Sequence, residues 1–298
     1  MVDSIKWATR QRLQYIEITA YYTGLVTRSD VARAFGISDA AATKDLKLYG
    51  TLSPDNLSYR HTVFGFVPNE RFEPLFADLS PAGVLPMIAA NLAAASGPYG
   101  DEPIYGISVD SLPLPNRLPD RAVLAQIIRA IRNRNKLQVS YHSLSSRESA
   151  QKRVLEPHSL VSTGLRWHVR AYNEETYDFR DFVLSRFVDA QILPEPAESS
   201  PQYDDDWMEL VTLKLAPHPQ LGEHKRTSLL IDYHCVGGSE GETEGELIEI
   251  RVRRALIGYV LQRLSVDTSA DHSMNPDAHQ LIVLNRDEIE PFAGWAFL

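Results

Sequence analysis

Hydrophobic positions along this 298-residue chain change period several times, and each change marks an element. Near the start, Ile5, Trp7, Leu13, Ile16 and Ile18 interleave with Arg10 and Arg12, the pattern of an amphipathic helix. A second helical pattern begins near Thr27 and a third near Ser38. Residues 57–67, Leu-Ser-Tyr-Arg-His-Thr-Val-Phe-Gly-Phe-Val, are rich in β-formers and read as a short hairpin. An alanine-rich helix is expected from Val84 to Ala95, with Pro86 near its start. Gly97-Pro98-Tyr99-Gly100 and Leu112-Pro113-Leu114-Pro115 then read as loop and linker. Asp120 to Arg134 returns to helical period and is expected to bury Val123, Ile127, Ile128 and Ile131. Four β-like runs follow, near 136–142, 154–161, 165–173 and 179–192, and Pro194 to Pro201 closes them as a linker. Residues 203–298 alternate strand and helix patterns around an acidic loop, Gly238 to Gly245. The chain has no internal repeat, and its segments are 1–72, 73–117, 118–193 and 203–298.

Composition sets limits on this picture. The length favours two or three domains. The 44% hydrophobic and 23% charged residues are ordinary for a globular protein. No apolar run is long enough to cross a bilayer, and the first residues lack a signal peptide's apolar region. One cysteine, Cys235, excludes an internal disulfide framework, so a soluble cytoplasmic protein is expected. The net charge of −9 argues against nucleic acid as a partner only until it is mapped. Residues 1–72 balance at +2 and residues 117–190 at +5, whereas residues 203–298 carry −9. Anion capture depends on the local field rather than the total.

Residues 27–48 have helix-turn-helix logic: Val31 and Ala34 pack, Gly36 permits the turn, Ile37 plugs the corner, and Ser38 caps the next helix. That helix packs with Ala42, Leu46 and Tyr49 and turns Asp39, Ala40, Thr43, Lys44 and Lys47 outward, as entry into a major groove requires. Thr27 and Ser29 open the preceding helix, and Tyr59, Arg60 and His61 sit where a wing belongs. These eleven positions are the expected DNA contacts: Thr27, Ser29, Ser38, Asp39, Ala40, Thr43, Lys44, Lys47, Tyr59, Arg60 and His61. A generic helical hairpin is the alternative.

The segment 164–173, Gly-Leu-Arg-Trp-His-Val-Arg-Ala-Tyr-Asn, separates as a strand into two chemistries. Leu165, Trp167, Val169 and Ala171 make an apolar core face, and Arg166, His168, Arg170 and Tyr172 a cationic one suited to phosphate. A solvated face paired with nearby carboxylates is the alternative. Tyr141, Ser143, His158, Phe182 and Arg186 extend the cationic and aromatic mixture, although Tyr141 and Phe182 also fit core positions. Arg170 and Arg186 are the expected phosphate contacts.

Enzyme chemistry finds little support. The chain has no Gly-rich phosphate loop, no Gly-x-Ser-x-Gly and no His-Glu-x-x-His. His218, His224, His234 and Cys235 match no common zinc spacing, and Asp232 to Cys235 reads better as the end of a packed helix. Asp204-Asp205-Asp206 reads as a solvated linker edge or helix start.

The middle segment resembles the WYL domain on Tyr141, Pro157-His158, Gly164 with Trp167 and Tyr172, and the stretch from Phe182 to Arg186. With the region from Asn56 to Phe72, Pro217-His218-Pro219 and Asp232-Tyr233, the whole chain resembles the BrxR/CapW group of winged-helix repressors found beside BREX and CBASS phage-defence systems. The resemblance implies an α+β multidomain fold: an N-terminal winged helix-turn-helix, a central Sm-like β-barrel and a C-terminal α/β dimerisation domain of WCX type. It implies a homodimeric repressor on palindromic double-stranded operator DNA, sensing a nucleotide or single-stranded nucleic acid; from the residues themselves no cofactor, metal or membrane partner is expected. Carried over by position, Tyr141, His158, Arg170, Tyr172, Ser185 and Arg186 become ligand contacts, beside Ser143, His168 and Phe182. His168 departs from the group by standing where many WYL domains place a further aromatic. An activator, or an accessory protein for single-stranded nucleic acid, is the alternative.

Overall fold

The computed structural model describes residues 5–95, 105–107, 109, 110, 112–115, 117–144, 150–233 and 247–297. The loop at Gly97–Gly100, the acidic loop at Gly238–Gly245, His234 and Cys235 lie outside the described residues. The chain divides into two units, Met1–Pro113 and Leu114–Leu298. Among the described residues no helix is long and apolar enough to cross a membrane.

In the first unit, α1 (Trp7–Thr23), α2 (Arg28–Phe35) and α3 (Asp39–Leu52) precede an antiparallel hairpin, β1 (Leu57–Arg60) and β2 (Gly65–Pro68), and then α4 (Pro81–Ala95). A capping box starts α2, in which Thr27 and Asp30 satisfy each other's backbone N–H groups. Gly36 ends it at φ 60, a left-handed turn that glycine takes without strain. Val26 pairs with Phe66 through two hydrogen bonds of 2.9 Å and adds a third short strand to the hairpin. Leu13, Ile16, Val31, Ala42, Leu46 and Tyr49 form the core beneath.

Glu17 is buried in that core, a position the sequence pattern did not flag. Its carboxylate accepts the N–H groups of Leu75, Phe76 and Ala77 at 2.7–2.8 Å and the Tyr49 hydroxyl at 3.1 Å. Burial of a carboxylate is costly unless its oxygens are filled. Here the backbone of 75–77 fills them and is thereby tied to α1.

The second unit opens with α5 (Arg121–Asn133), capped by Asp120. Five strands follow: β3 (Asn135–Tyr141), β4 (Gln151–Ser162), β5 (Trp167–Asn173), β6 (Asp178–Val183) and β7 (Phe187–Pro196). They form an antiparallel sheet in the order β6-β5-β4-β3-β7. Only the single 3-10 turn Leu184–Arg186 joins the two outer strands. Three residues span at most about 10 Å, so the sheet rolls to bring its edges together. No ladder joins β6 to β7 among the described residues. The sheet is therefore rolled and open where a closed barrel was expected. Ile127, Leu137, Leu155, Val169 and Leu184 fill its interior.

The chain continues through α6 (Asp205–Met208), β8 (Leu210–Pro217), α7 (Glu223–Asp232), β9 (Ile248–Arg253), α8 (Ile257–Arg263), β10 (Leu281–Val283) and α9 (Arg286–Ala293). The sheet order is β10-β8-β9, and Leu213, Leu215, Ile257, Leu261 and Ile289 pack its core.

Candidate functional site

Two surfaces carry the expected chemistry. On α3, the Ser38 hydroxyl accepts the Ala41 N–H at 3.3 Å and the Thr43 hydroxyl donates to the Asp39 carbonyl at 2.8 Å. Arg12 of α1 grips Asp45 of α3 at 2.6 Å, which fixes the helix on its scaffold. Asp39, Ala40, Lys44 and Lys47 are left exposed, and Thr43 is half-buried. Asp39 is paired with Arg28 across the turn at 3.2 Å, so its charge is already compensated. Ser29 is exposed, and the Thr27 hydroxyl is committed to its cap. In the hairpin, Tyr59 packs edge-on between His61 and Phe66, with ring centroids 5.0 and 5.2 Å away, and Arg60 and His61 are exposed. The sequence pattern missed Arg28 and Phe64, which also stand at this surface. Phe64 adopts φ 51 at the tip, and its place directly before Gly65 was the available signal.

The second surface is the polar face of β5. Arg166 leads into the strand, and His168 and Arg170 follow at alternate positions, as the sequence predicts. The face is not open, however. Arg170 is 5% exposed and gives Nε and Nη2 to the two Asp204 oxygens at 2.7 and 2.9 Å. Asp204 caps α6 by accepting the Trp207 N–H at 3.2 Å, and its Oδ2 lies 3.1 Å from His158 Nε2. Burial acts to raise the Asp204 carboxyl, but the hydrogen bonds from Arg170 and His158 prevail and hold it down to about 2. Asp181 stands 3.6 Å from Arg170 on the other side and is hydrogen-bonded to Tyr259 of α8. Burial pushes its carboxyl up, against the pull of the Arg170 charge.

His168 is 1% exposed beneath the Tyr259 ring, centroids 4.9 Å apart. Burial first, and then the charges of Arg166, Arg186 and Arg117, lower its pKa to about 4. Its Nδ1 has no hydrogen-bond partner among the described residues.

These contacts correct several expectations. Arg170, His158 and His168 line an internal seam between the β-sheet of 135–196 and the segments after it, because Asp204 and Tyr259 cover them. Asp204 is likewise buried rather than solvated, though it does start a helix. Trp167 and Leu165 are 42% and 41% exposed and lie outside the core, whereas Val169 and Ala171 are fully buried. The Tyr141 ring packs on Phe182 and Phe187, and its hydroxyl accepts the Val183 N–H at 3.1 Å. Tyr141 and Phe182 are therefore core residues, sealed from any ligand in this conformation. Tyr172 is half-buried with its ring on Phe179, Ser143 is half-buried, and Ser185 is exposed. Arg186 is half-buried beside it and pairs with no carboxylate among the described residues.

His218 is buried 3.2 Å from Asp267, its Nδ1 accepts the Gln220 N–H at 3.2 Å, and both ring nitrogens are occupied. Among the described residues no group of His, Cys, Asp and Glu is placed to hold a metal ion.

Comparison with known proteins matches all three segments in order. Residues 8–90 match the family described as BrxR transcriptional regulator winged helix-turn-helix domain. Residues 122–192 match the WYL domain, and residues 210–289 the BrxR transcriptional regulator C-terminal dimerization domain. The DNA-binding transcriptional repressor CapW of Escherichia coli (strain KTE188) is 32% identical over 284 residues, covering 95% of this chain and 91% of that protein. CapW of Stenotrophomonas maltophilia is 30% identical, covering 97% and 93%, and CapW of Pseudomonas aeruginosa 30%, covering 96% and 92%. A solved structure, proteasome accessory factor B/C of Arthrobacter aurescens, is matched at 17% identity over 97% of this chain and 48% of its own, with a TM-score of 0.26.

Proposed function

This chain belongs to the family of BrxR and CapW transcriptional regulators, and from that premise we propose that it is a homodimeric DNA-binding repressor. Two copies of α3 enter successive major grooves of a palindromic operator, because two-fold protein symmetry matches inverted half-sites. Ala40 and Thr43 face base edges while Lys44 and Lys47 reach phosphates, and Tyr59, Arg60 and His61 of the hairpin contact the flanking backbone. Ser38 and Thr27 set the helix starts, and Ser29 and Asp39 complete the approach. The operon under control is a phage-defence operon, following the group the chain resembles. The observation that carries the DNA reading is the exposed face of α3, locked to α1 by Arg12 and flanked by the hairpin.

Operator retention in a gel shift with the chain's own upstream region tests this. Specific retention is expected at moderate salt, and replacing Lys44 or Lys47 by alanine weakens it while flattening the salt dependence by about one unit per lysine. Retention that is equal on unrelated DNA overturns the proposal.

The WYL segment supplies regulation. We propose that it senses a nucleotide or single-stranded nucleic acid, with Arg186 and Ser185 at the surface and Tyr141, Ser143, His158, His168, Arg170, Tyr172 and Phe182 shaping the site behind them. Its occupancy alters the dimer and releases the operator. Footprints taken with and without short single-stranded DNA read this directly, and identical footprints across all added nucleotides overturn it.

A further inference from the structure

We propose that Arg117, Arg166 and Arg263 form an anion site at the junction of the β4–β5 turn with α8, taking the phosphate of a nucleotide whose ring lies in an adjoining apolar recess. Arg166 is presented by a tight turn in which both the N–H and the hydroxyl of Thr163 donate to its carbonyl at 3.1 Å. Gly164, at φ 75, makes that turn possible. It also leaves room for Arg263, the last residue of α8, whose Nε would stand 3.2 Å from a Cβ placed on Gly164. Arg117 arrives from the segment ahead of α5. With Thr163, Gln262 and Tyr259, the three arginines line a cavity of about 140 Å³.

Three guanidiniums around one cavity are ordinary if carboxylates neutralise them. Here none of the three has an ion-pair partner among the described residues, in a chain where acidic groups outnumber basic ones by 39 to 30. The adjoining recess, about 320 Å³, shares Thr163, Tyr259 and Arg263 with the cavity, and apart from Ser162 its other walls are the apolar side chains of Val161, Ile250, Leu256, Val260 and Leu264. That size is enough for a ring, and apolar walls beside convergent charges are the usual form of a ligand pocket. Guanidinium forks bind phosphate oxygens in pairs, and an aromatic ring beside them suits a base.

This inference rests on the effector reading for its ligand class and places the phosphate on residues that span both segments of the second unit. Calorimetric titration of the full-length protein tests it, with adenosine monophosphate, inorganic pyrophosphate, and a trinucleotide carrying either a 5′-phosphate or a 5′-hydroxyl. Adenosine monophosphate and the phosphorylated trinucleotide are expected to bind, with the hydroxyl form at least about tenfold weaker. Binding of the mononucleotide but not the trinucleotide assigns the site to free nucleotides, and the reverse order assigns it to strand ends. Arg166→Gln and Arg263→Gln each weaken binding about tenfold, with the melting temperature of the ligand-free protein unchanged. The inference is overturned if no probe binds, if binding survives both substitutions together, or if Arg186→Gln alone abolishes it. Operator retention by the same samples shows separately whether the DNA reading stands.

Discussion

In the middle of β5, Arg170 gives both arms of its fork to Asp204 and has Asp181 3.6 Å away, whereas four residues earlier, in the turn just ahead of the strand, Arg166 meets no carboxylate among the described residues. Both arginines belong to the same polar face, and local sequence does not distinguish them. What separates them lies at a distance: Asp204 is 34 positions beyond Arg170 and caps a helix that closes over it. Charge on a strand becomes structural when the chain supplies the counter-charge, and stays available for a ligand when it does not. His168, between the two, is buried like Arg170 and unsatisfied at Nδ1.

Breaking the satisfied end has the largest effect. Asp204→Ala leaves Arg170 charged, buried and without its main partner, and removes the α6 cap. A loss of about 3–5 kcal/mol in urea unfolding of the second unit is expected. Replacing Arg170 with Met as well as Asp204 with Leu recovers only part of that loss: no guanidinium is stranded, but Asp181 loses the charge beside it and α6 stays without its cap. If Asp204→Ala costs under about 1 kcal/mol, the pair is not what closes this end of the seam.

The middle of the face responds to acid. The folded His168 imidazole titrates at about 4, below its ordinary 6.5, so the stability tied to its neutral form is complete above pH 6.5 and drains away as pH falls toward 4. Between pH 7 and pH 5 that amounts to about 2 kcal/mol. Asp204, depressed to about 2 from an ordinary 3.8, adds its own loss only lower, between about pH 4 and pH 2. Melting temperatures at pH 7 and pH 5 are expected to converge in His168→Phe. A slope equal to wild type in that variant assigns the acid sensitivity to another group.

How far the sequence was legible follows the same division. Elements whose signals are local were readable: the three helices before residue 53, with Gly36 and Ser38 at their turn, and the helix from Arg121 to Asn133. The run read as one strand over 179–192 is two strands, β6 and β7, parted by the turn at Leu184–Arg186, which holds neither glycine nor proline to announce it. Tyr141 and Phe182 fitted both core and ligand site, and only packing on Phe187 decides for core. Trp167 was assigned to the core by alternation alone, but it stands at the start of β5, where strand pairing does not by itself bring cover. The seam itself was illegible, since Asp204 sat in what read as a linker and Tyr259 lies 91 positions from His168. Side chains that close a site from another segment leave no periodic trace in the strand they cover.

The smallest effect sharpens the comparison most. Arg166→Gln removes the same charge from the same strand face as a change at Arg170, yet it breaks no ion pair among the described residues. Its backbone contacts with Thr163 survive the substitution, because the carbonyl and not the guanidinium accepts them. Unfolding free energy is therefore expected to stay within about 0.5 kcal/mol of wild type, against several kcal/mol for the Arg170 pair. At pH 7 the imidazole is neutral with or without Arg166, so no gain comes from it there; nearer pH 5 a slight gain is the predicted sign, since one of the charges that hold the imidazole pKa down is gone. Chemical denaturation at pH 7 and pH 5, with His168 followed by NMR titration, measures both quantities. A loss above about 1 kcal/mol means that Arg166 is held by a counter-charge after all, and the two arginines are then alike.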